Sequence, residues 1–317
     1  MKKQPFGTTK LQLSNICYGT GNFGEKLTKE QAFYNLDMYL DAGGNFIDSA
    51  NVYCRWVPGL TNSSEQYLGE WLKSRNAYDK VVIATKGGHY DFESPEISRV
   101  NPRDVRKDLE ESLQTLGLER IALYWLHRDD LETPIEDIIE MMEDFVKEGK
   151  IRYYGASNYT KARMNQAVNY AEEKGLQGFS AVSNQWSAVK VNPGGNLNSD
   201  PTLVMMDEDY YQWHKAHQMP LVPYSAGGHG YFQKRFLKEA ISPAMKKAYD
   251  NESNEELLRK FSLLSQETGV NVHAVSLAWL LQQPFPVFPI AAITKPTQLE
   301  DFLVASEFSF PADFNNM

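Results

Sequence analysis

Short apolar runs alternate with amphipathic stretches along the whole chain. The runs at 16–19, 46–49, 81–85, 121–126, 153–156, 181–184, 221–224 and 287–291 read as strands. Helical periodicity fills the intervals at about 29–42, 63–75, 102–116, 134–149, 160–174, 204–217, 254–283 and 296–306. Strands that alternate with helices in this way imply a parallel sheet covered by helices. Eight such units, evenly spaced, favour one closed (β/α)8 TIM barrel, an α/β fold, over an open doubly wound sheet. The whole chain, 1–317, reads as a single barrel domain, and the stretch 6–13 reads as a short N-terminal β-hairpin at the barrel bottom.

Local signals mark where the helices begin and stop. Thr28 with Gln31, and Ser63 with Gln66, match the capping box, in which each end satisfies a free N–H of the other. Pro102, Pro134 and Pro296 suit a first helical turn. Gly43, Gly117, Gly149 and Gly175 stand where helices end.

Composition narrows the function. The chain has 317 residues, 42% hydrophobic and 23% charged, which excludes general disorder. A net charge of −9 argues against a broad basic surface for nucleic acid or anionic membrane. Two cysteines, Cys17 and Cys54, are too few for a disulfide framework or a four-cysteine zinc site. No apolar run approaches membrane-spanning length, and the basic start is not followed by an apolar signal region. A cytoplasmic location is the simplest expectation.

In a barrel the chemistry sits where strands end at the C-terminal face. Those positions here are Gly19-Thr20, Asp48, Lys86, His127, Ser157-Asn158, Gln185, Tyr224-Ser225 and the stretch after Ile290. Gly19-Thr-Gly-Asn-Phe-Gly24 also matches the dinucleotide fingerprint. That motif needs a helix to start at its glycines, so that the helix N-terminus meets the pyrophosphate. The cap at Thr28 puts the helix start too late, and a tight turn at the barrel mouth fits better.

Asp48, Tyr53, Lys86 and His127 follow adjacent strands and would face one another across the mouth. A tyrosine phenol titrates near pH 10. A nearby ammonium favours the phenolate and lowers that value. An aspartate paired with the lysine keeps it charged, and a histidine can hydrogen-bond a substrate oxygen. The set is a proton donor suited to a carbonyl oxygen that becomes an alkoxide.

These residues carry a resemblance. The motifs at 44–53 (Gly-Asn-Phe-Ile-Asp-Ser-Ala-Asn-Val-Tyr), 84–86 (Ala-Thr-Lys), 126–128 (Leu-His-Arg), 155–158 (Gly-Ala-Ser-Asn), 184–185 (Asn-Gln) and 223–225 (Pro-Tyr-Ser) occur in order over nearly the whole chain. In this the sequence resembles the aldo-keto reductase superfamily. The resemblance implies a (β/α)8 barrel, an extended nicotinamide cofactor, and a tetrad of Asp48, Tyr53, Lys86 and His127 with Tyr53 as general acid. It implies that Ser157, Asn158 and Gln185 hold the nicotinamide carboxamide and that Tyr224 stacks on the ring. It assigns Gly19, Thr20, Ser225 and Gly230 to the cofactor as well, the last two within a segment over the pyrophosphate. Arg235 falls where many members carry a basic residue.

The adenine end departs from the family. Gln298 and Asp301 match expected positions, but Phe302 replaces an asparagine, and Ala292-Ile293 lacks the usual polar groups. Thr294 and Lys295 remain as partners for a 2′-phosphate, so NADPH is expected over NADH.

The implied function is an NADPH-dependent oxidoreductase that reduces an aldehyde or ketone, such as a keto-sugar or aryl aldehyde, to an alcohol. Hydride would come from nicotinamide C4 and the proton from Tyr53. The alternatives are a redox-sensing, cofactor-binding regulatory subunit of the same fold, or a barrel oxidising a sugar or polyol. The expected partner is a small carbonyl substrate, with no nucleic acid and no membrane. Trp56, His89 and Trp186 are candidates for the substrate pocket, as are Tyr90, Phe92 and His229 in the loops after the strands. The loop from Trp186 to about Asp200 is longer than in simple members, and substrate selectivity is expected there. His214 and His217 are spaced for a metal but lack a third ligand nearby, so both read as surface residues and no metal is expected. Cys54 reads as a mouth-lining cysteine without a catalytic role, and Met141-Met142 as packing.

Overall fold

The computed structural model describes residues 1–198, 200–295, 297–312 and 314. Two strands, β1 (Lys3–Pro5) and β2 (Gln12–Ser14), pair antiparallel and open the chain. The parallel strands follow in order: β3 (Cys17–Gly19), β4 (Phe46–Asp48), β5 (Val82–Gly87), β6 (Ile121–Leu126), β7 (Ile151–Ser157), β8 (Val182–Ser183) and β9 (Ile290–Ala291). Their spatial order is β8-β7-β6-β5-β4-β3-β9.

The gap between β8 and β9 is closed by the segment 221–224. Val222 N donates to Val182 O at 2.8 Å, and on its other side Phe288 N donates to Leu221 O at 2.8 Å. Leu221 bridges Val182 and Val287 in parallel. This is the eighth strand of the barrel, reduced to isolated bridges. The reason is covalent: Pro220, Pro223, Pro286 and Pro289 lack the N–H groups a continuous ladder would use. The strand expected at 221–224 is therefore in place but too interrupted to form a regular ladder.

The hairpin plugs the barrel as the sequence suggested. Phe6, at its turn, is fully buried among Phe46, Ala84, Leu123, Trp125, Ala181, Val222 and Phe288 inside the barrel. Its ring meets Phe46 and Phe288 edge-on, at 5.8 and 5.0 Å. Each such pair contributes about 0.5–1.5 kcal/mol beyond its burial.

The covering helices are α1 (Lys29–Asp41), α2 (Ser63–Arg75), α3 (Pro102–Leu116), α4 (Ile135–Lys147), α5 (Lys161–Lys174), α6 (Glu208–His217), α7 (Tyr231–Phe236), α8 (Pro243–Tyr249), α9 (Glu252–Thr268), α10 (Val272–Leu281) and α11 (Thr297–Glu307). The Thr28–Gln31 capping box is present. α1 thus starts beyond Gly24, and the glycines at 19–24 lie outside any helix. The box expected at Ser63 is not formed. Asn62 caps α2 by accepting from Glu65 N, and Ser63 Oγ donates instead to Phe23 O at 2.7 Å. Pro134 stands just before α4 rather than in its first turn, and Pro296 lies outside the described residues. The pattern at 204–217 yields a helix only from Glu208, because Asp207 caps it and 203–206 runs extended. The long pattern at 254–283 is two helices. Gly269 ends α9 at φ +72°, and Asn271 caps α10. α7 and α8 were not expected; they are short and follow the loop at 225–230, where little periodicity can accumulate.

Candidate active site

Asp48 and Lys86 end or nearly end neighbouring strands, β4 and β5, in a register that pairs Asp48 with Ala84. Alternation along β5 turns Lys86 to the same side as Ala84, into the barrel. Lys86 Nζ donates to Asp48 Oδ2, to Ser49 O at 2.8 Å and to Tyr53 Oη at 3.0 Å. Asp48 and Lys86 are buried, and Tyr53 is half-buried at the mouth. The His127 ring stands 5.9 Å from the Tyr53 ring, nearly perpendicular to it. His127 Nδ1 is buried with no hydrogen-bond partner among the described residues.

Burial pushes the Tyr53 phenol above its ordinary value, and Lys86 works against that shift. The balance corrects the expected net lowering: the phenol stays protonated at neutral pH and has a cation ready for the phenolate. Burial lowers Lys86, but Asp48 and Tyr53 outweigh it, so its value is raised and it stays charged. Burial, with Arg128, His89 and Lys86 nearby, holds His127 well below the usual imidazole range. A neutral imidazole beside a protonated phenol can donate a hydrogen bond to a carbonyl oxygen without competing for its proton.

The groups expected at the nicotinamide end meet at the ends of β7, β8 and the 221–224 segment. Ser157 Oγ donates to Ser183 O at 3.0 Å. The Tyr224 hydroxyl donates to Asn158 Oδ1 at 2.6 Å. Gln185 is 7% exposed, and its side-chain amide has no hydrogen bond among the described residues. A nearly buried, unpartnered amide beside an aromatic ring fits a bound carboxamide. Asn158 is different. Its Nδ2 donates to His127 O and Ser157 Oγ, and its Oδ1 accepts from Val204 N and Tyr224 Oη. These contacts use both donors and both lone pairs of the amide.

Other expected cofactor contacts are redistributed. Gly19 packs against Ile290, leaving no room for a side chain. Thr20 is fully buried, bonded to Asp48 O and Ser64 Oγ, and is spent on the barrel wall. Ser225, Gly228 and Gly230 have φ of +55°, +55° and +74°, which makes 225–230 a tight loop. Arg235 is held by Asp250 and Glu255, so it is not the free phosphate partner expected. Two carboxylates within reach are the stronger local attraction. Gln298 Oε1 accepts from Thr294 N, Thr294 Oγ1 and Lys295 N, which gathers all three residues where the chain enters α11. Asp301 pairs with His273 at 3.0 Å.

His89 stands beside His127, its ring 4.8 Å away, and burial pulls it down to about 4. Trp56 is 44% exposed and meets the rings of Tyr53 and Phe92 edge-on. A cleft of about 410 Å³ adjoins Lys86 and His89, walled by Arg55, Tyr90 and Phe92. Trp186 is a correction. Its ring packs on Tyr211, Trp279 and Phe285, away from the tetrad. Gln185 and Trp186 are consecutive in extended chain and point to opposite sides. His229 stacks at 6.4 Å on Tyr249.

Arg128 and Asp200 form a pair that the sequence does not announce. Arg128 Nη2 meets Asp200 Oδ2 at 2.8 Å, and the Tyr90 hydroxyl donates to the same oxygen at 2.8 Å. Burial raises Asp200, but donors from Thr202, Arg128 and Tyr90 outweigh it and hold the carboxyl below its ordinary range. Arg128 stood inside the Leu-His-Arg motif; its partner, 72 residues on, had no signal but its place in the long loop.

His214 is also a correction: it is fully buried, with Nδ1 bonded to Met219 O at 2.9 Å. His217 is exposed, and among the described residues no group of three ligands could hold a metal. Cys54 lies buried beneath the mouth, its thiol donating to Phe23 O. Met141 and Met142 are packed in the core. Among the described residues, no helix is long and apolar enough to cross a membrane.

The model of the Aldo/keto reductase family matches residues 15–317. The chain is 29% identical to norsolorinic acid reductase B of Dothistroma septosporum, over 94% of this chain and 75% of the relative. It is 30% identical to the uncharacterized oxidoreductase YrpG of Bacillus subtilis, over 98% and 93%. Aryl-alcohol dehydrogenase GME11368 of Pestalotiopsis microspora is 25% identical, over 96% and 78%.

Proposed function

The chain belongs to the aldo/keto reductase family, and on that premise we propose that it is an NADPH-dependent reductase of aldehydes or ketones with Tyr53 as proton donor. One observation carries the reading: Lys86 Nζ bridges the buried Asp48 carboxylate and the Tyr53 hydroxyl, 3.0 Å from the latter. A charged lysine held in this way has little structural purpose, because burying an ion pair costs desolvation that packing could avoid. It makes sense as a support for negative charge that appears on the phenol.

When bound, the nicotinamide supplies hydride to the carbonyl carbon. Tyr53 gives its proton to the carbonyl oxygen and is left as phenolate beside Lys86. Asp48 holds the ammonium in place. His127, neutral, orients the carbonyl oxygen toward Tyr53. Gln185 has the free amide for the carboxamide, and Tyr224 offers its ring face. Thr294 and Lys295, gathered by Gln298, are the groups for a 2′-phosphate.

The wall supports a substrate class. Trp56, Phe92, Tyr90 and His89 offer aromatic faces next to the tetrad, which suits an aryl aldehyde or a sugar ring. The test is NADPH oxidation across aldehydes, ketones and keto-sugars, with Tyr53→Phe run in parallel. Turnover that disappears in the variant supports the reading. NADPH binding without turnover on any carbonyl would count against a reductase.

A further inference from the structure

We infer that Asp200 is a positioning residue: it buckles the long loop after β8 across the barrel mouth, so that this loop sets His127 and Tyr224 through Asn158. The inference rests on the proposed function for its catalytic consequence. Its geometry is independent of that reading.

The buckle has three prongs. Asp200 Oδ2 accepts from Arg128 Nη2 and Tyr90 Oη, both at 2.8 Å. Its other oxygen accepts from Thr202 N and Thr202 Oγ1, at 2.9 and 2.6 Å. Arg128 Nε completes the ring by donating to Thr202 Oγ1 at 2.7 Å. Both charged side chains are nearly buried, at 10% and 14% exposed. One loop is thus tied to the end of β6 through Arg128 and to the loop after β5 through Tyr90.

Beyond the buckle the chain lies flat against the site. Gln185 N donates to Val204 O, and Met206 N to Gln185 O, at 2.9 and 3.0 Å. Val204 N donates to Asn158 Oδ1 at 3.2 Å. Asn158 passes this constraint on in two directions. Its Nδ2 holds the His127 carbonyl at 3.1 Å, and its Oδ1 receives the Tyr224 hydroxyl. Arg128 Nη1 donates to the same His127 carbonyl at 2.8 Å. The backbone under the reactive imidazole is therefore gripped twice, and both grips lead back to Asp200. An amide with every donor and acceptor committed to protein cannot rotate without breaking several bonds. That is the property required of a hub that fixes other groups.

Two variants test this. Asp200→Asn keeps the shape and removes the charge that holds Arg128. Val204→Pro removes the N–H to Asn158 and fixes φ at that position, leaving Val204 O for Gln185. Each is expected to lower kcat on the best carbonyl by about tenfold, the scale of a small misplacement of a reacting group. The carbonyl KM and the NADPH Kd should change by less than about threefold, because neither substituted residue is placed against substrate or cofactor. In the double variant the losses should not multiply, since both cut one chain of contacts. A kcat within twofold of wild type for Asp200→Asn, or losses that multiply, overturns the proposal. Amide exchange in the nucleotide-free protein supplies a readout that needs no activity. Val204 and Met206 should exchange at least about tenfold faster in Asp200→Asn, because their protection depends on the loop staying down. Unchanged protection overturns the buckle. Wild-type protein without turnover removes the proposed function instead, and the exchange experiment then decides the buckle alone.

Discussion

Lys86 Nζ lies 3.0 Å from Tyr53 Oη and also over the Tyr53 ring, 4.7 Å from its centre. The ammonium thus touches the one atom whose charge would change in the proposed reaction. Burial raises the phenol, and Lys86 alone among the near groups supplies a strong opposing pull through both charge and hydrogen bond.

Lys86→Met should therefore remove the main opposition to burial and leave only the weaker pull of Arg128. The phenolate needed as base for alcohol oxidation would form only at higher pH. The pH profile of oxidation is expected to move upward, and turnover in either direction to fall. A profile that keeps its midpoint would mean that Lys86 does not tune Tyr53.

Tyr53→Phe removes the transferable proton and keeps the ring that packs on Trp56 and His127. Turnover should fall by about 10²–10⁴-fold, the usual contribution of general acid catalysis. NADPH affinity should stay nearly level. Fluorescence titration beside a steady-state assay separates the two, and retained turnover would take the acid role away from Tyr53.

Lys295 is exposed, and its ties to Gln298 run through its backbone N–H and carbonyl. Lys295→Ala should weaken NADPH by about fivefold, the value of one exposed ionic contact, and leave NADH unchanged. Dissociation constants for both cofactors check this, and tighter NADH than NADPH binding by the wild type would reverse the assigned preference.

His214 is stacked between Tyr210 and Phe285, and burial lowers it to about 4. In the unfolded chain a histidine titrates near 6.5. Between these values the unfolded state binds the extra proton. This contribution to stability is complete above about pH 6.5 and is lost as pH falls toward about 4. The melting temperature should drop over that window, and His214→Phe should flatten part of the slope. An unchanged slope in the variant would leave the acid sensitivity to His89, which is lowered in the same way, and to other groups.

The tetrad was legible because each member sits at or soon after a strand end, and strands announce themselves by short apolar runs. Asp48, Lys86 and His127 needed only the rule that barrel chemistry gathers at one face. Arg235 was misjudged because sequence shows a basic residue but not its partners; Asp250 and Glu255 reach it from a turn and a helix start that the pattern did not resolve. Trp186 was misjudged by a single position, since neighbouring residues of an extended chain face opposite ways. His214 reads as a surface residue for want of a third metal ligand nearby, yet tertiary contacts bury it in an aromatic stack.

The sequence by itself determined the barrel, its plug, the cap at Thr28 and the four side chains that gather at the mouth. Periodicity and capping are local, and a parallel barrel turns local order along the chain into adjacency around a ring. Only the tertiary structure decided which polar groups are free and which are spent. Gln185 is left open, Asn158 is saturated, and Asp200 crosses 72 residues to reach Arg128. Hydrogen-bond capacity is consumed by whatever arrives in space, and nothing in a linear pattern records what will arrive.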